Sequence, residues 1–191
     1  MNIYDILNPE KEYLKGKKAL IFDMDGTLVD SMPYWCLTAE EDISHFPSFY
    51  DYVKHKYETV VDPKPYSVEF LSFLKENGVP YCIATDTPKW MSKGLFERHP
   101  EFAEVVPIYI DSENAQSSKA QSSRIYEIAA EKLGFKKEEC LVFEDYFHSI
   151  ASASNGGFDV VAVHDDLNRA TEEFIKEHCV DYIPHMGAMM K

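Results

Sequence analysis

The stretch Lys17–Ser31, KKALIFDMDGTLVDS, decides the fold. Ala19 to Phe22 form a run of small and apolar residues that leads straight into Asp23 and Asp25, followed by Gly26 and Thr27. A short apolar run closed by a turn signal reads as a strand buried on both faces. Two aspartates two apart at the end of such a strand need a reason, because like charges repel and a buried carboxylate is costly.

Working outward, the same kind of run recurs. VPYCIAT, VVPIYI, CLVFED, DVVAV and DYI are candidate strands. Between them lie amphipathic segments. VEFLSFLKENG sets Phe70, Leu71 and Leu74 at helical spacing and stops at Gly78, and SRIYEIAAEKLG sets Ile125, Ile128, Ala129 and Leu133 on one face and stops at Gly134. PKWMSKGLFERH carries Pro88 where a first helical turn accepts it, and YFHSIASASNGG and NRATEEFIKEH complete the alternation. Strands alternating with helices imply parallel pairing through right-handed crossovers, with helices on both sheet faces. The expected fold class is α/β, a doubly wound and mostly parallel sheet.

One segment breaks the rhythm. Pro33–Asp62 is rich in aromatic and charged residues, and it is far longer than the dozen or so residues that a crossover needs. It reads as a small helical cap over the end of the first strand. The expected division is a core of residues 1–31 and 63–191 and a cap of residues 32–62.

Ligands in an open parallel sheet bind beyond the carboxyl ends of its strands. Three strand ends here are polar: Asp23-Met24-Asp25, Thr85-Asp86 and Glu144-Asp145. Five carboxylates brought to one edge need a cation between them, and an all-oxygen donor set suits Mg²⁺ better than zinc.

The bulk numbers agree with a soluble globular protein of ordinary size. The chain has 191 residues, 45% hydrophobic and 27% charged, with a formal net charge of −14. That charge argues against a nucleic-acid backbone or an anionic membrane surface as partner. Cys36, Cys82, Cys140 and Cys179 are scattered, with no C-x-x-C pair, as expected of free thiols in a reducing cytoplasm. The first residues have neither a basic start nor an apolar run of signal-peptide length, and no stretch is long enough to span a bilayer. A cytoplasmic location is the expectation.

FDMDGTLVDS matches D-x-D-G-T-[LV]-x-D-S, and the chain resembles the haloacid dehalogenase (HAD) superfamily. Thr85 after YCIA, Lys119 before a long helix and Glu144-Asp145 follow in that family's order. The match is nearest to the branch with a cap between the first two motifs, as in phosphoglycolate phosphatases and β-phosphoglucomutases. The resemblance implies Asp23 as nucleophile, forming an aspartyl-phosphate. It implies Asp25 as general acid and then base, and Lys119 as the cation that neutralises the transition state. It further implies Thr85 and Asp86 beside Lys119 around the phosphate, and Asp23, Asp25 and Asp145 around Mg²⁺. An aspartate at position 25 favours phosphate esters over halides, since a halide leaves without a proton. Gly26 is expected to supply a backbone conformation closed to other residues.

This chain departs from the family pattern at three places. Asp86 stands where Asn or Ser is usual, SSKAQSS surrounds Lys119 in place of Gly-Lys-Pro, and Tyr146 replaces a serine. Lys89 and Lys93 are alternative lysines. In the short cap, Tyr34 and Trp35 are the candidate specificity residues, with His45, Phe46, Phe49 and Tyr50 near them. The expected substrate is a small phosphorylated metabolite cleaved by a Mg²⁺-dependent phosphohydrolase. A sugar phosphomutase and a non-catalytic HAD-like binding protein are the alternatives.

Overall fold

The central strand, β1 (Ala19–Phe22), is fully buried, and its neighbours explain why. In the computed structural model, which describes residues 3–38 and 41–190, it lies inside a six-stranded sheet. The chain runs α1 (Ile3–Ile6), β1, α2 (Met32–Trp35), α3 (Phe49–Thr59), α4 (Ser67–Glu76), β2 (Tyr81–Thr85), α5 (Lys93–Arg98) and α6 (Pro100–Glu104). It continues β3 (Tyr109–Asp111), α7 (Ser112–Ala115), α8 (Arg124–Leu133), β4 (Cys140–Glu144), α9 (Phe147–Asn155), β5 (Asp159–Val163), α10 (Glu172–Glu177) and β6 (Asp181–Ile183). All pairs are parallel, in the order β3-β2-β1-β4-β5-β6. The sheet is thus doubly wound as expected. Because the winding reverses between β1 and β4, a crevice opens at their carboxyl ends.

Alternation along the strands sorts the core into two faces. Leu20, Phe22, Ile83, Leu141, Phe143 and Val161 face one side, where Phe22 stacks on Phe143 at 4.7 Å and meets the edge of Phe70 at 6.0 Å. Ala19, Ile21, Cys82, Ala84, Cys140, Val142 and Ala162 face the other. The small residues on that second face let α8 lie close to the sheet through Ile125, Tyr126 and Ala129.

The segment 32–62 is anchored by α3. This helix starts where Ser48 accepts the Asp51 amide at 3.1 Å, a side-chain cap. It crosses α5 at Gly94, where a Cβ would stand 2.5 Å from Glu58 Cγ and 2.7 Å from its Cα. Only glycine lets the two backbones approach so closely. Arg98 on α5 then donates to the Tyr57 carbonyl at 3.3 Å and the Val61 carbonyl at 2.9 Å, satisfying groups at the end of α3.

Two boundaries differ from the sequence expectation. The helix expected from Pro88 begins only at Lys93, because the Asp111 carboxylate accepts the Lys89 amide at 3.1 Å and holds the preceding residues as a turn. The last helix is divided into a 3₁₀ segment, Asp166–Thr171, and α10, because Asp165 caps the Leu167 amide at 3.0 Å.

Candidate active site

The crevice at the switch point holds the aspartate motif. Asp23 follows β1 directly, and its amide donates to the Phe143 carbonyl of β4 at 2.9 Å, so the strand pairing itself fixes its place. Its side chain is buried. Lys119, also buried, forms ion pairs with Asp23 Oδ1 and, at 2.6 Å, with Glu144 Oε1. Among the described lysines only this one reaches Asp23; Lys93 pairs with Glu97 on the surface at 3.1 Å.

Three carboxylates crowd this floor. Asp23, Glu144 and Asp145 each bring an oxygen within 4.8 Å of the others. Burial, and then the charge of Glu144, push the Asp23 carboxyl well above its ordinary range, with Lys119 pulling the other way. The same two causes raise Asp145 to about 8, against the pull of Lys64. Burial alone would lower Lys119; the charges of Asp23 and Glu144 outweigh it and hold the ammonium well above its ordinary value. Three carboxyls against one buried ammonium bring negative charge in excess when they ionise, which is why burial and repulsion raise Asp23 and Asp145. An all-oxygen site with that excess fits a hard divalent cation.

The carboxylates are not equivalent. Glu144 is saturated: Lys119 and Tyr126 donate to Oε1 at 2.6 and 2.9 Å, and the Asp145 and Tyr146 amides donate to Oε2 at 3.0 Å each. It holds the lysine and the loop. Asp145 receives one donor on each oxygen, from Thr27 Oγ1 at 2.8 Å and Asn168 Nδ2 at 3.2 Å, which leaves both oxygens with acceptor capacity.

Gly26 is what makes room for Asp145. Its φ is +80°, and a Cβ there would lie 2.3 Å from Asp145 Oδ2. Both the backbone conformation and the space demand glycine. Gly26→Ala is therefore expected to cost about 1–3 kcal/mol of stability and to weaken divalent-cation binding at least tenfold, because Asp145 must move. Denaturant titration and metal titration of the two proteins check this; equal metal affinity would show that Asp145 does not hold the ion.

Asp25 corrects the expectation that its side chain joins the metal cluster. Its carboxylate turns away from the Asp23–Glu144–Asp145 group and accepts four hydroxyls. Ser31 and Tyr57 donate to Oδ1, the former at 2.6 Å, and Thr85 and Thr87 donate to Oδ2 at 3.2 and 2.6 Å. Thr85 lines the same cavity as Asp23 and Lys119, with its hydroxyl against Asp25 Oδ2 and accepting the Thr87 amide at 3.1 Å. Asp86 is turned to protein partners. Both its oxygens accept from the lysine loop, with Ser118 Oγ at 2.8 Å and the Lys119 amide at 3.0 Å, so its carboxylate positions Lys119 instead of facing an anion. That gives a physical reason for an aspartate at this position in a chain whose lysine loop lacks a proline.

In the 32–62 segment, Trp35 lines the cavity above Asp23 and Asp25. Tyr34 does not; its ring lies under Lys56 Nζ at 5.4 Å. Phe46 and Phe49 meet Tyr52 at 5.5 and 6.4 Å and form the segment's own packing, while Tyr50 reaches the cavity. Tyr57 is the residue that sequence reasoning missed. It is buried, donates to Asp25 and accepts the Trp35 indole N–H at 3.0 Å. Its only sequence signal is its place on the buried face of α3 with Tyr52 and Val53. Lys64 was missed as well. It donates to the Gly26 carbonyl and, at 2.8 Å, to Asp165, and so braces the turn from below. A lysine between two prolines, Pro63 and Pro65, was the available hint.

A doubly wound sheet with a buried lysine–carboxylate cluster at its switch point defines a HAD-type site. The family model for haloacid dehalogenase-like hydrolases matches residues 37–157, and the chain belongs to that family. It is 22% identical over 204 residues to hexitol phosphatase A of Escherichia coli (strain K12), covering 87% of this chain and 93% of that protein. Among solved structures, a HAD family hydrolase from Deinococcus radiodurans R1 with bound phosphate and sodium superposes with a TM-score of 0.70 at 21% identity, covering 90% of this chain and 93% of that one. A structure assigned as a beta-phosphoglucomutase of Thermotoga maritima gives a TM-score of 0.69 at 19% identity, covering 90% and 96%. Among the described residues no helix is long and apolar enough to cross a membrane.

Proposed function

We propose that this protein is a Mg²⁺-dependent phosphohydrolase that cleaves a small phosphate monoester through an aspartyl-phosphate on Asp23. The observation that carries the reading is the buried contact of Asp23 with Lys119 on the floor of a cavity of about 650 Å³. A carboxylate held against an ammonium, with negative charge in excess around both, is a nucleophile that needs only a cation and a phosphate to act.

In this reading residues 1–31 and 63–191 are the catalytic core and residues 32–62 the cap. Asp23 attacks phosphorus and the ester oxygen leaves with a proton; water then attacks the acyl phosphate and returns free Asp23. Asp25 is the group that gives and takes the proton. Its four hydroxyl partners hold it as an acceptor, the form that draws a proton from water. For the acid step one of these hydroxyls turns and accepts. Lys119 stabilises the charge spreading over the phosphoryl oxygens. Asp23 and Asp145 hold the ion, while Glu144 fixes Lys119 and the loop. Bound there, Mg²⁺ supplies the positive charge that lets an anionic nucleophile meet an anionic phosphate.

The mutase alternative has less support, because the cavity mouth carries exposed rings of Tyr50, Trp90 and Tyr146 and admits water to the intermediate. A binding protein without catalysis would have no use for so much buried negative charge.

Phosphate release from an aryl phosphate, with Mg²⁺ and with chelator, tests the reading. Release is expected to require Mg²⁺. At a hundredfold excess over Kd the ion should also stabilise the fold by about 2.7 kcal/mol, which raises Tm by roughly 5–10 °C for a chain of this size. Release that is indifferent to chelator, or a Tm unmoved by Mg²⁺, would remove the metal from the proposal.

A further inference from the structure

The wall of the cavity is aromatic, and packing explains only part of it: Trp35 and Tyr50 meet Phe49 at 5.8 and 5.9 Å, whereas Trp90 and Tyr146 lie outside that cluster. The chain has two tryptophans, and both Trp35 and Trp90 line this one cavity. Three of the exposed large apolar side chains, Tyr50, Trp90 and Tyr146, line it as well, with Trp90 51% exposed. These rings come from α2, from the start of α3, from the turn after β2 and from the loop after β4, so no single helix face brings them together. Leaving them in water forgoes burial at about 25 cal/mol per Å².

The polar handles of the two indoles are already occupied. The Trp90 indole N–H donates to Glu113 Oε1 at 3.2 Å, and the Trp35 N–H donates to Tyr57 at 3.0 Å. Both indoles are thereby oriented and present ring surface, not donors, to the cavity. The neighbouring polar groups are committed too: Ser112 Oγ donates to the Asp86 carbonyl at 2.8 Å, and the Asp86 carboxylate holds the lysine loop. The uncommitted polar groups of the lining are the hydroxyls of Tyr50, Tyr146 and Ser149, so a polyol would find hydroxyl partners but no charged one besides the acidic groups. A flat ring finds faces to stack on. The charge pattern narrows the ligand further. Lys119 is the only lysine or arginine among the residues lining the cavity, while Asp23, Asp25, Asp86 and Glu113 are acidic. No further lysine or arginine lines it to receive a second phosphate or a carboxylate.

We propose that the substrate is a small monophosphate ester of an aromatic alcohol, its ring system uncharged or cationic, stacked between Trp90 and Tyr146 at the cavity mouth. This rests on the phosphohydrolase reading and names its substrate class.

The test compares kcat/KM of the Mg²⁺-loaded enzyme for 2-phenylethyl phosphate and for a hexitol monophosphate. Both leaving groups are ordinary alcohols, so leaving-group reactivity does not decide the result. A preference of at least tenfold for the phenylethyl ester is expected. Trp90→Ala and, separately, Tyr146→Ala should each lower that preference severalfold, mainly through KM. Equal or better use of the hexitol ester, or a preference unmoved by both substitutions, overturns the proposal. If neither ester is cleaved, the aryl phosphate assay decides the hydrolase reading, and binding decides this one. Benzylphosphonate should then quench tryptophan fluorescence at a concentration at least tenfold lower than ethylphosphonate does, and equal quenching curves would overturn it.

Discussion

Asp23→Asn is expected to abolish turnover and, in metal-free buffer, to stabilise the fold. The activity loss follows from the proposed chemistry: an amide cannot form the aspartyl-phosphate, and removing a nucleophile costs on the order of 10⁴-fold or more. The gain in stability follows from the charge. Asp23 is buried beside Glu144 and Asp145, and burial and repulsion outweigh the attraction of Lys119, so its carboxyl sits well above the ordinary range. A carboxyl whose folded pKa exceeds its unfolded pKa binds protons more tightly in the folded state. Its cost is then absent at acid pH and grows as pH rises from about 4 toward the folded value. Asparagine should accordingly match the wild type in acid and exceed it at neutral pH, by about 1 kcal/mol. Chemical denaturation at the two pH values, together with a rate assay, checks both halves. A variant that is inactive because it is less stable would point to a structural role for Asp23 and against a nucleophile.

Much of the fold was legible because its signals are local. The apolar runs of β1, β2, β4 and β5 are buried on both faces, and continuous hydrophobicity is what such strands show. The start of α5 was not legible, because what delays it is the Asp111 carboxylate, over twenty residues downstream, capturing the Lys89 amide. The docking of α3 hangs on Gly94 and Arg98, two residues on another helix that gain meaning only once the helices cross.

The site divides the same way. The motif around Asp23 is contiguous, and the structure brings Asp23, Lys119, Glu144 and Asp145 to one floor. What one-dimensional reasoning does not supply is the direction of side chains. Asp25, Thr85 and Asp86 all lie at the strand ends where ligand groups belong, yet each is turned to protein partners. Spacing places a Cα; the partners that orient a carboxylate come from elsewhere in the chain. Tyr57 is the clearest case, since an aromatic on the buried side of a short helix is ordinary core until its hydroxyl is found on Asp25.

Lys119→Met should have the opposite effect on stability from Asp23→Asn while sharing its loss of activity. The lysine is the only cation paired with Asp23 and Glu144 among the described residues, and methionine fills much of its volume without the charge. Breaking a buried ion pair from one side costs about 3–5 kcal/mol, because the remaining charges stay uncompensated. For a chain of this size that lowers Tm by roughly 10 °C. Turnover should fall by on the order of 10³-fold, the scale of losing one preorganised electrostatic contact to the transition state. The two substitutions are coupled through one contact, so their effects on stability do not add. In the double variant, asparagine removes one of the carboxylates that the lost lysine left exposed to its neighbours. Part of the stability lost in Lys119→Met should return, although activity does not. If Lys119→Met is as stable as the wild type, the buried carboxylates are neutralised by protonation instead of by the lysine, and the floor of the cavity does not store the negative charge on which the proposed chemistry depends.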